Sequence, residues 1–102
     1  MRRRSKYNAA PTEYKGVRFA SRREAAYCAE LDILKAAGEV AYYLRQVPIH
    51  LPGGITYRVD YVVFYADGRV RYVDVKGHLT AMYRLKKKQV EALYPIKIEE
   101  VQ

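Results

Sequence analysis

Two aspartates and a lysine lie on neighbouring predicted strands in the second half of the chain. The segment 56–77 reads TYRVDYVVFYADGRVRYVDVKG, with Asp60 before, and Asp74 and Lys76 after, an Asp67-Gly68 turn. Val- and Tyr-rich runs on either side of such a turn are typical of a β-hairpin. The hairpin would bring two carboxylates and an ammonium group to one region of a sheet. Those groups suit a divalent cation held beside a phosphodiester.

The length of the hairpin loop decides whether the two carboxylates can meet, because strand side chains alternate between faces. A two-residue loop, 67–68, places Asp60 opposite Val75 and turns Asp74 to the other face. A three-residue loop, 66–68, closed by a left-handed glycine, places Asp60 opposite Asp74. The proposed chemistry requires the three-residue loop.

This arrangement predicts a metal-dependent nuclease. Asp60, Asp74 and the Val75 carbonyl would bind Mg²⁺, which favours hard oxygen ligands and keeps several waters, and we expect Mn²⁺ to substitute. Lys76 would orient the attacking water or stabilise developing charge. The alternative is structural: two aspartates at solvent-exposed strand ends, with Lys76 as their salt-bridge partner.

A helix is predicted before the hairpin, over 22–37. Ser21 and Glu24 have the spacing of a capping box, and Gly38 suits the left-handed position that ends a helix. Glu24 points in the direction of the apolar face, formed by Tyr27, Cys28, Leu31 and Leu34. Glu24 either closes the cap or reaches the metal from the first turn of the helix, and one residue can do both.

The remaining pattern predicts an α/β fold with the order helix, three strands, helix, strand. A strand is expected over 40–51, and Pro48 within it argues for either an edge position or a bulge. A helix is expected over 82–94 and a last edge strand over 96–101. His50 is interpreted as an exposed or hydrogen-bonded strand residue. Residues 1–13 are predicted to form a basic, flexible arm, and 14–102 a single domain.

The chain has 102 residues and a net charge of +8, with nineteen Lys and Arg against eleven Asp and Glu. So basic a small domain favours nucleic acid as partner. A single cysteine, Cys28, excludes an intrachain disulfide, and no apolar run is long enough for a membrane helix. We therefore expect a cytoplasmic protein without a small-molecule cofactor. Candidate phosphate contacts, each equally interpretable as a solvated surface residue, are Arg2, Arg3, Arg4, Lys6, Arg18, Arg22, Arg23, Arg84, Lys86, Lys87 and Lys88.

Four segments together resemble the PD-(D/E)XK nuclease superfamily, and within it the small phage-encoded endonucleases related to Holliday-junction resolvases. The segments read SRREAAYCAEL, LRQVPIHL, YRVDYVVFY and YVDVKG, and a basic helix follows them. The resemblance covers about residues 14–102. It assigns Glu24, Asp60, Asp74 and Lys76 to the catalytic set, with Gln46 as a looser match. Val59 stands where many relatives have proline.

The resemblance implies a restriction-endonuclease-like αβββαβ core, with a mixed four-stranded sheet flanked by helices. It also implies a Mg²⁺-dependent endonuclease selective for branched DNA, such as four-way junctions. Symmetric cleavage of a junction would require a homodimer. Two alternatives stay open: a nicking or restriction-like endonuclease acting on unbranched DNA, and a nucleic-acid-binding module without catalysis.

Overall fold

A computed structural model describes residues 11–76 and 79–102 of the chain. Two helices and a four-stranded sheet form its core, preceded by a short two-stranded hairpin. The elements are β1 Thr12–Tyr14, β2 Val17–Phe19, α1 Arg22–Ala36, β3 Val40–Leu51, β4 Ile55–Tyr65, β5 Val70–Val75, α2 Ala81–Leu93 and β6 Ile98–Val101. The mixed α/β class and the order helix, three strands, helix, strand are therefore confirmed for the core.

The main sheet has the strand order β3-β4-β5-β6, with β6 at one edge as predicted and β3 at the other edge, which is one of the two alternatives for Pro48. The pairs β3–β4 and β4–β5 are antiparallel, whereas β5 and β6 are parallel. One apolar cluster joins α1 to one face of the sheet, and a second joins α2 to the other face. Covering on both faces explains why β4 is apolar at successive positions such as Val62 and Val63.

Helix α1 begins where its capping signal predicts. The Ser21 hydroxyl accepts a hydrogen bond from the Glu24 backbone N–H at 3.2 Å. The reciprocal half of the capping box, a bond from the Glu24 carboxylate to the Ser21 backbone, is absent from the described hydrogen bonds. Gly38 follows the helix with φ +84°, a conformation that glycine adopts without steric cost. At the start of the helix, the Glu24 backbone thus takes part in the cap, whereas its carboxylate does not.

The β4–β5 loop has three residues. Tyr65 N–H donates to the Arg69 carbonyl at 2.9 Å, and Gly68, at φ +95°, donates to the Tyr65 carbonyl at 3.0 Å. The strand pairs from Phe64↔Val70 to Tyr61↔Val73 have the register in which Asp60 and Asp74 would be opposite each other. The prediction on which the site depends is therefore confirmed, and the two-residue alternative is excluded.

The segment before α1 differs from the prediction. Residues 12 and 13, assigned to a flexible arm, belong to β1, which pairs with β2 in an antiparallel hairpin separate from the main sheet. Lys15 and Gly16 both have positive φ, which is the geometry of a two-residue type I′ turn. The alternation over these few residues is too short to identify a strand, and a lysine at the first turn position conceals the turn.

Smaller differences concern the C-terminal elements. β6 begins at Ile98 rather than at 96, because the chain after Pro95 first turns back, with Ile96 N–H donating to the Tyr94 carbonyl at 2.7 Å. His50 is exposed on β3, as interpreted from the sequence. Neither α1 nor α2, the helices of the described ranges, combines the length and apolar content needed to cross a bilayer.

Candidate active site

Asp60 and Asp74 lie where the ladder between β4 and β5 ends. The last paired residues toward the open end of the hairpin are Tyr61 and Val73. Immediately beyond them, one Asp74 carboxylate oxygen, Oδ1, accepts from the Asp60 backbone N–H at 2.9 Å. In return, Asp60 Oδ2 accepts from the Val75 backbone N–H at 2.9 Å. The two carboxylates thus replace backbone carbonyls as acceptors, each for a backbone N–H of the opposite strand, at the point where the ladder ends.

Both aspartates are buried. Asp60 is 6 % exposed and Asp74 is 0 % exposed, and the second oxygen of Asp74, Oδ2, has no hydrogen-bond partner among the described residues. Burial raises the pKa of the Asp74 carboxyl, an effect opposed by the Asp60 backbone N–H and by the Lys76 ammonium. The alternative of aspartates at solvent-exposed strand ends is therefore wrong. A buried carboxylate oxygen without a hydrogen bond is stabilised by a proton, a cation or a nearby donor, and the Tyr83 hydroxyl is such a donor.

Gln46 on β3 completes the contacts of Asp60. Its side-chain amide donates from Nε2 to Asp60 Oδ1 at 3.2 Å. Gln46 has φ +52°, and it interrupts the β3–β4 ladder between Arg45↔Tyr61 and Val47↔Val59. Such a conformation costs about 1–3 kcal/mol in a residue other than glycine and is often found at functional sites. The sequence named Gln46, but not the backbone conformation that positions it.

Lys76 lies near the aspartates without forming an ion pair. Its Nζ is 4.8 Å from the centroid of the Tyr83 ring, and in the described part of the chain no carboxylate lies within 4.0 Å of it. The salt bridge imagined in the structural alternative is therefore not formed. The Tyr83 hydroxyl is buried close to the Asp74 carboxylate and lowers the pKa of Asp74, while burial and then the Asp74 charge raise the pKa of Tyr83. Within the described residues, neither the hydroxyl nor Asp74 Oδ2 completes a hydrogen bond of good geometry. Tyr83 thus stays protonated beside Asp74 and provides an aromatic face for the lysine.

Glu24 approaches the same region from α1. The side chain is 8 % exposed, and within residues 11–76 and 79–102 its carboxylate accepts no hydrogen bond and makes no ion pair. Burial, followed by the Asp60 charge, raises the pKa of the Glu24 carboxyl, whereas Arg45 and Lys76 lower it. The structure therefore brings Glu24 within electrostatic range of Asp60 and Lys76. It leaves that carboxylate free of other partners.

A metal ion would find suitable donors at this site. Among the described residues, no group of three His, Cys, Asp or Glu is already placed to hold a metal ion. Mg²⁺ does not need one, because it is commonly bound through one or two carboxylates, with waters and substrate phosphates as its other ligands. The unpartnered Asp74 Oδ2 and the adjacent Asp60 carboxylate fit that requirement. The predicted Val75 carbonyl lies on the same strand, directly after Asp74.

The predicted phosphate-binding residues fall into three groups. Arg2, Arg3, Arg4 and Lys6 lie outside the described residues. Two lysines of α2 already have partners: Lys87 pairs with Glu100 at 3.3 Å, and Lys86 donates to the Thr56 carbonyl at 3.5 Å. The third group consists of the candidates that are exposed, namely Arg18, Arg22, Arg23, Arg84 and Lys88.

Sequence reasoning missed Arg45 and Tyr83. Arg45 stacks on the Phe19 ring, with its guanidinium carbon 4.0 Å from the centroid, and its Nε is buried without a hydrogen-bond partner. Tyr83, in the first turn of α2, is buried, and its ring centroid lies 6.2 Å from that of Tyr57 on β4. Arg45 directly precedes Gln46 in the sequence, which could have drawn attention to it. However, only the packing of β2 and α2 identifies Arg45 and Tyr83 as neighbours of the site.

Comparison with known proteins places the chain in a family. No curated protein matches the sequence. A family model described as a protein of unknown function, DUF1064, matches residues 4–101, which include every residue of the candidate site. The chain therefore belongs to the DUF1064 family.

Proposed function

We propose that the protein is a Mg²⁺-dependent DNA endonuclease with the restriction-endonuclease-like core of the PD-(D/E)XK nucleases, acting on branched DNA. The observation on which the proposal rests is the buried pair Asp60 and Asp74. Each carboxylate accepts a backbone hydrogen bond from the opposite strand, and among the described residues one oxygen of Asp74 completes no hydrogen bond and Lys76 makes no ion pair. The net charge of +8 supports a polyanionic substrate.

Asp60 and Asp74 would hold the cation, with Gln46 fixing the orientation of the Asp60 carboxylate. When bound, Mg²⁺ supplies charge neutralisation for the phosphate and lowers the pKa of water. The Lys76 ammonium, resting on the Tyr83 ring, would orient the attacking water or stabilise charge on the phosphate oxygens. Glu24, whose burial favours its protonated form, would exchange a proton with water at the edge of the site.

A second candidate, a nucleic-acid-binding module without catalysis, is favoured by a different observation. Three of the four aspartate oxygens already accept hydrogen bonds from Asp60 N, Val75 N and the Gln46 amide. Carboxylates that accept these hydrogen bonds could have a single role, which is to stabilise the end of the β4–β5 ladder. The two candidates differ in whether removing the charge of Asp74 abolishes a reaction.

Cleavage assays with Asp74→Asn separate the two candidates. Asparagine keeps an acceptor for the Asp60 backbone N–H but removes the anionic oxygen. We expect wild-type protein with Mg²⁺ to cut a four-way junction, and the variant to be slower by at least about a hundredfold, since metal-assisted charge stabilisation is worth several kcal/mol. Binding of the junction should persist or become tighter, because a negative charge near the phosphates is gone.

Asp67→Asn is the matched control, because it removes an exposed carboxylate from the hairpin turn. Its cleavage rate should equal that of the wild type. A junction that is bound but never cut by wild-type protein, with Mg²⁺ or Mn²⁺ and across pH and salt, would establish the binding module instead. Competition with linear duplex distinguishes a branch-selective enzyme from a nicking or restriction-like one.

A further inference from the structure

A cleft beside the candidate active site has no role in the proposed mechanism so far. It has a volume of about 260 Å³ and lies between the β1–β2 hairpin, α1 and β3. Its lining consists of Tyr14, Lys15, Val17, Phe19, Cys28, Asp32, Tyr43 and Arg45. The volume is below the roughly 300–1,000 Å³ of sites for drug-sized ligands, so the cleft suits one ring system rather than a larger molecule.

The cleft follows the same stripe of α1 that begins at Glu24. Glu24, Cys28 and Asp32 succeed one another at four-residue steps, so they share one side of the helix. At 1.5 Å per residue, Asp32 lies about 12 Å along the helix axis from Glu24. A nucleotide strand with its scissile phosphate at Asp60 and Asp74 could therefore reach this cleft within a few nucleotides if it runs along α1.

Asp32 already has its full set of partners. Its carboxylate accepts from the Tyr43 hydroxyl at 2.7 Å and the Tyr14 hydroxyl at 2.9 Å, and Lys15 lies 3.5 Å away. The bonds from the two tyrosines keep the pKa of the Asp32 carboxyl below its ordinary value. The cleft therefore does not require a cationic ligand. The tyrosine rings are instead held in place as parts of its wall.

Arg45 has no anionic partner among the described residues, although it lies close enough to the Tyr61 hydroxyl to lower the pKa of that group, which burial raises. Its guanidinium carbon is 4.0 Å from the Phe19 ring centroid and 5.9 Å from that of Tyr61, while its Nε is buried without a hydrogen bond. In the described part of the chain it makes no ion pair, although its charge lowers the pKa of Glu24. The Nε atom is too buried to meet a ligand, but Arg45 as a whole is partly exposed. A partly exposed guanidinium that is held on aromatic faces and has no anionic partner is suited to a phosphate.

We propose that this cleft is a nucleotide subsite, in which Arg45 binds a phosphate next to the scissile one and an unpaired base enters the aromatic cleft. The inference rests on the proposed nuclease function and names the feature of the substrate that is recognised. Aromatic side chains bind any base through its ring face, and unstacking a base costs least where it is already unpaired. The subsite thus favours DNA with unpaired nucleotides at a branch point.

Binding to Asp74→Asn protein tests the subsite without cleavage. The probes are a branched duplex whose first unpaired base is 2-aminopurine and a fully paired duplex of the same length. We expect 2-aminopurine fluorescence to fall on binding, as the base contacts the tyrosines. In the Asp74→Asn background, the further substitution Arg45→Gln should weaken binding of the branched DNA about tenfold. It should weaken binding of the paired duplex less than threefold. Adding Tyr14→Leu should restore the fluorescence.

Arg69→Gln is the charge-matched control and should affect both DNAs alike, because Arg69 lies on the hairpin turn and pairs with Asp67. If Arg45 only packs against Phe19 and Tyr61, Arg45→Gln will lower the melting temperature and weaken both DNAs equally, which overturns the proposal. Unchanged 2-aminopurine fluorescence on binding does so too. If wild-type protein cuts no DNA, the nuclease assignment fails, while this comparison of affinities still decides the subsite.

Discussion

Asp74, a residue of the candidate site, carries a cost in stability. The side chain is fully buried, and burial raises the pKa of its carboxyl in the folded protein above its ordinary value of 3.8. The folded state therefore binds this proton more tightly than the unfolded state does. The stabilisation that this protonation gives is fully present below the pKa of the carboxyl in the unfolded state. It is lost as the pH rises through the pKa of the carboxyl in the folded state. At neutral pH the Asp74 charge destabilises the fold.

Asp74→Asn should accordingly stabilise the protein while it removes activity. We expect a gain of about 1 kcal/mol at pH 7, which raises the melting temperature by about 4–8 °C in a domain of this size. The gain should shrink as the pH falls toward 3.8, because the wild-type carboxyl then becomes neutral in both states. Melting curves of both proteins between pH 3 and 8 measure this difference.

The exposed variant Asp67→Asn provides the comparison at the residue scale. Hydrogen bonds from Arg69 lower the pKa of Asp67, which is the opposite direction. Its stability difference from wild type should therefore have the opposite pH dependence, with Asp67→Asn at a disadvantage above the acid range. A stability gain in Asp74→Asn that is the same at every pH would mean that the buried charge is not its source.

Residue types and spacing predicted part of the site. Asp60 and Asp74 could be paired by counting the residues of the loop, and the helix N-terminus at Ser21 followed from local capping. The left-handed Gln46 could not be foreseen, since a glutamine in a strand pattern gives no signal of positive φ. Arg45 and Tyr83 are set by tertiary packing, on which local propensity has no influence.

At the scale of elements, the hairpin loop sets the register on which the site depends. Gly68 occupies the left-handed position of the three-residue loop, at φ +95°, and an added Cβ would meet no atom within 4 Å. A substitution there therefore changes the backbone energy alone. The register itself is also fixed by the packing of β4 and β5, because a shift by one residue would move Val63 and Val73 out of the cluster that they form with α1.

Gly68→Ala should therefore destabilise the protein without abolishing activity. We expect a loss of about 1 kcal/mol or somewhat more, and Gly68→Asn should lose less, since asparagine tolerates this conformation. Urea unfolding measures the loss, and cleavage per folded molecule should match the wild type for both variants. Loss of cleavage in a folded Gly68→Ala protein would mean that the loop, rather than the sheet, determines the register of Asp60 and Asp74.

The elements also show where pattern reasoning fails. The alternate positions of β4 change layers: Tyr57 and Val59 belong to the α2 cluster, whereas Tyr61 and Val63 belong to the α1 cluster. In a regular strand these four residues would share one face. The change occurs at Asp60, opposite the irregularity at Gln46. A run of apolar residues cannot reveal it, because both faces of this sheet are covered.

At the scale of the whole molecule, exposed cations lie both on α2, near the candidate site, and at the far ends of α1 and of the β4–β5 hairpin. Arg84 and Lys88 are exposed on α2, the helix whose Tyr83 contacts Lys76. Lys35 lies in the last turn of α1, about 16 Å along the helix from Glu24, and Arg69 lies on the hairpin turn, about 16 Å along β5 from Asp74. These two cations are far from the site, and one of them, Arg69, pairs with Asp67.

DNA binding should depend on the pair near the site. Replacing Arg84 and Lys88 by glutamine should reduce the slope of log K against log salt concentration by roughly 2, since each phosphate contact contributes about 0.9. The variant Lys35→Gln/Arg69→Gln removes the same net charge and should change the slope much less. Titrations of Asp74→Asn protein with a four-way junction at several salt concentrations measure both slopes. Equal reductions of the two slopes would mean that DNA binding depends on the total charge of the protein. They would contradict the prediction that the bound DNA contacts α2.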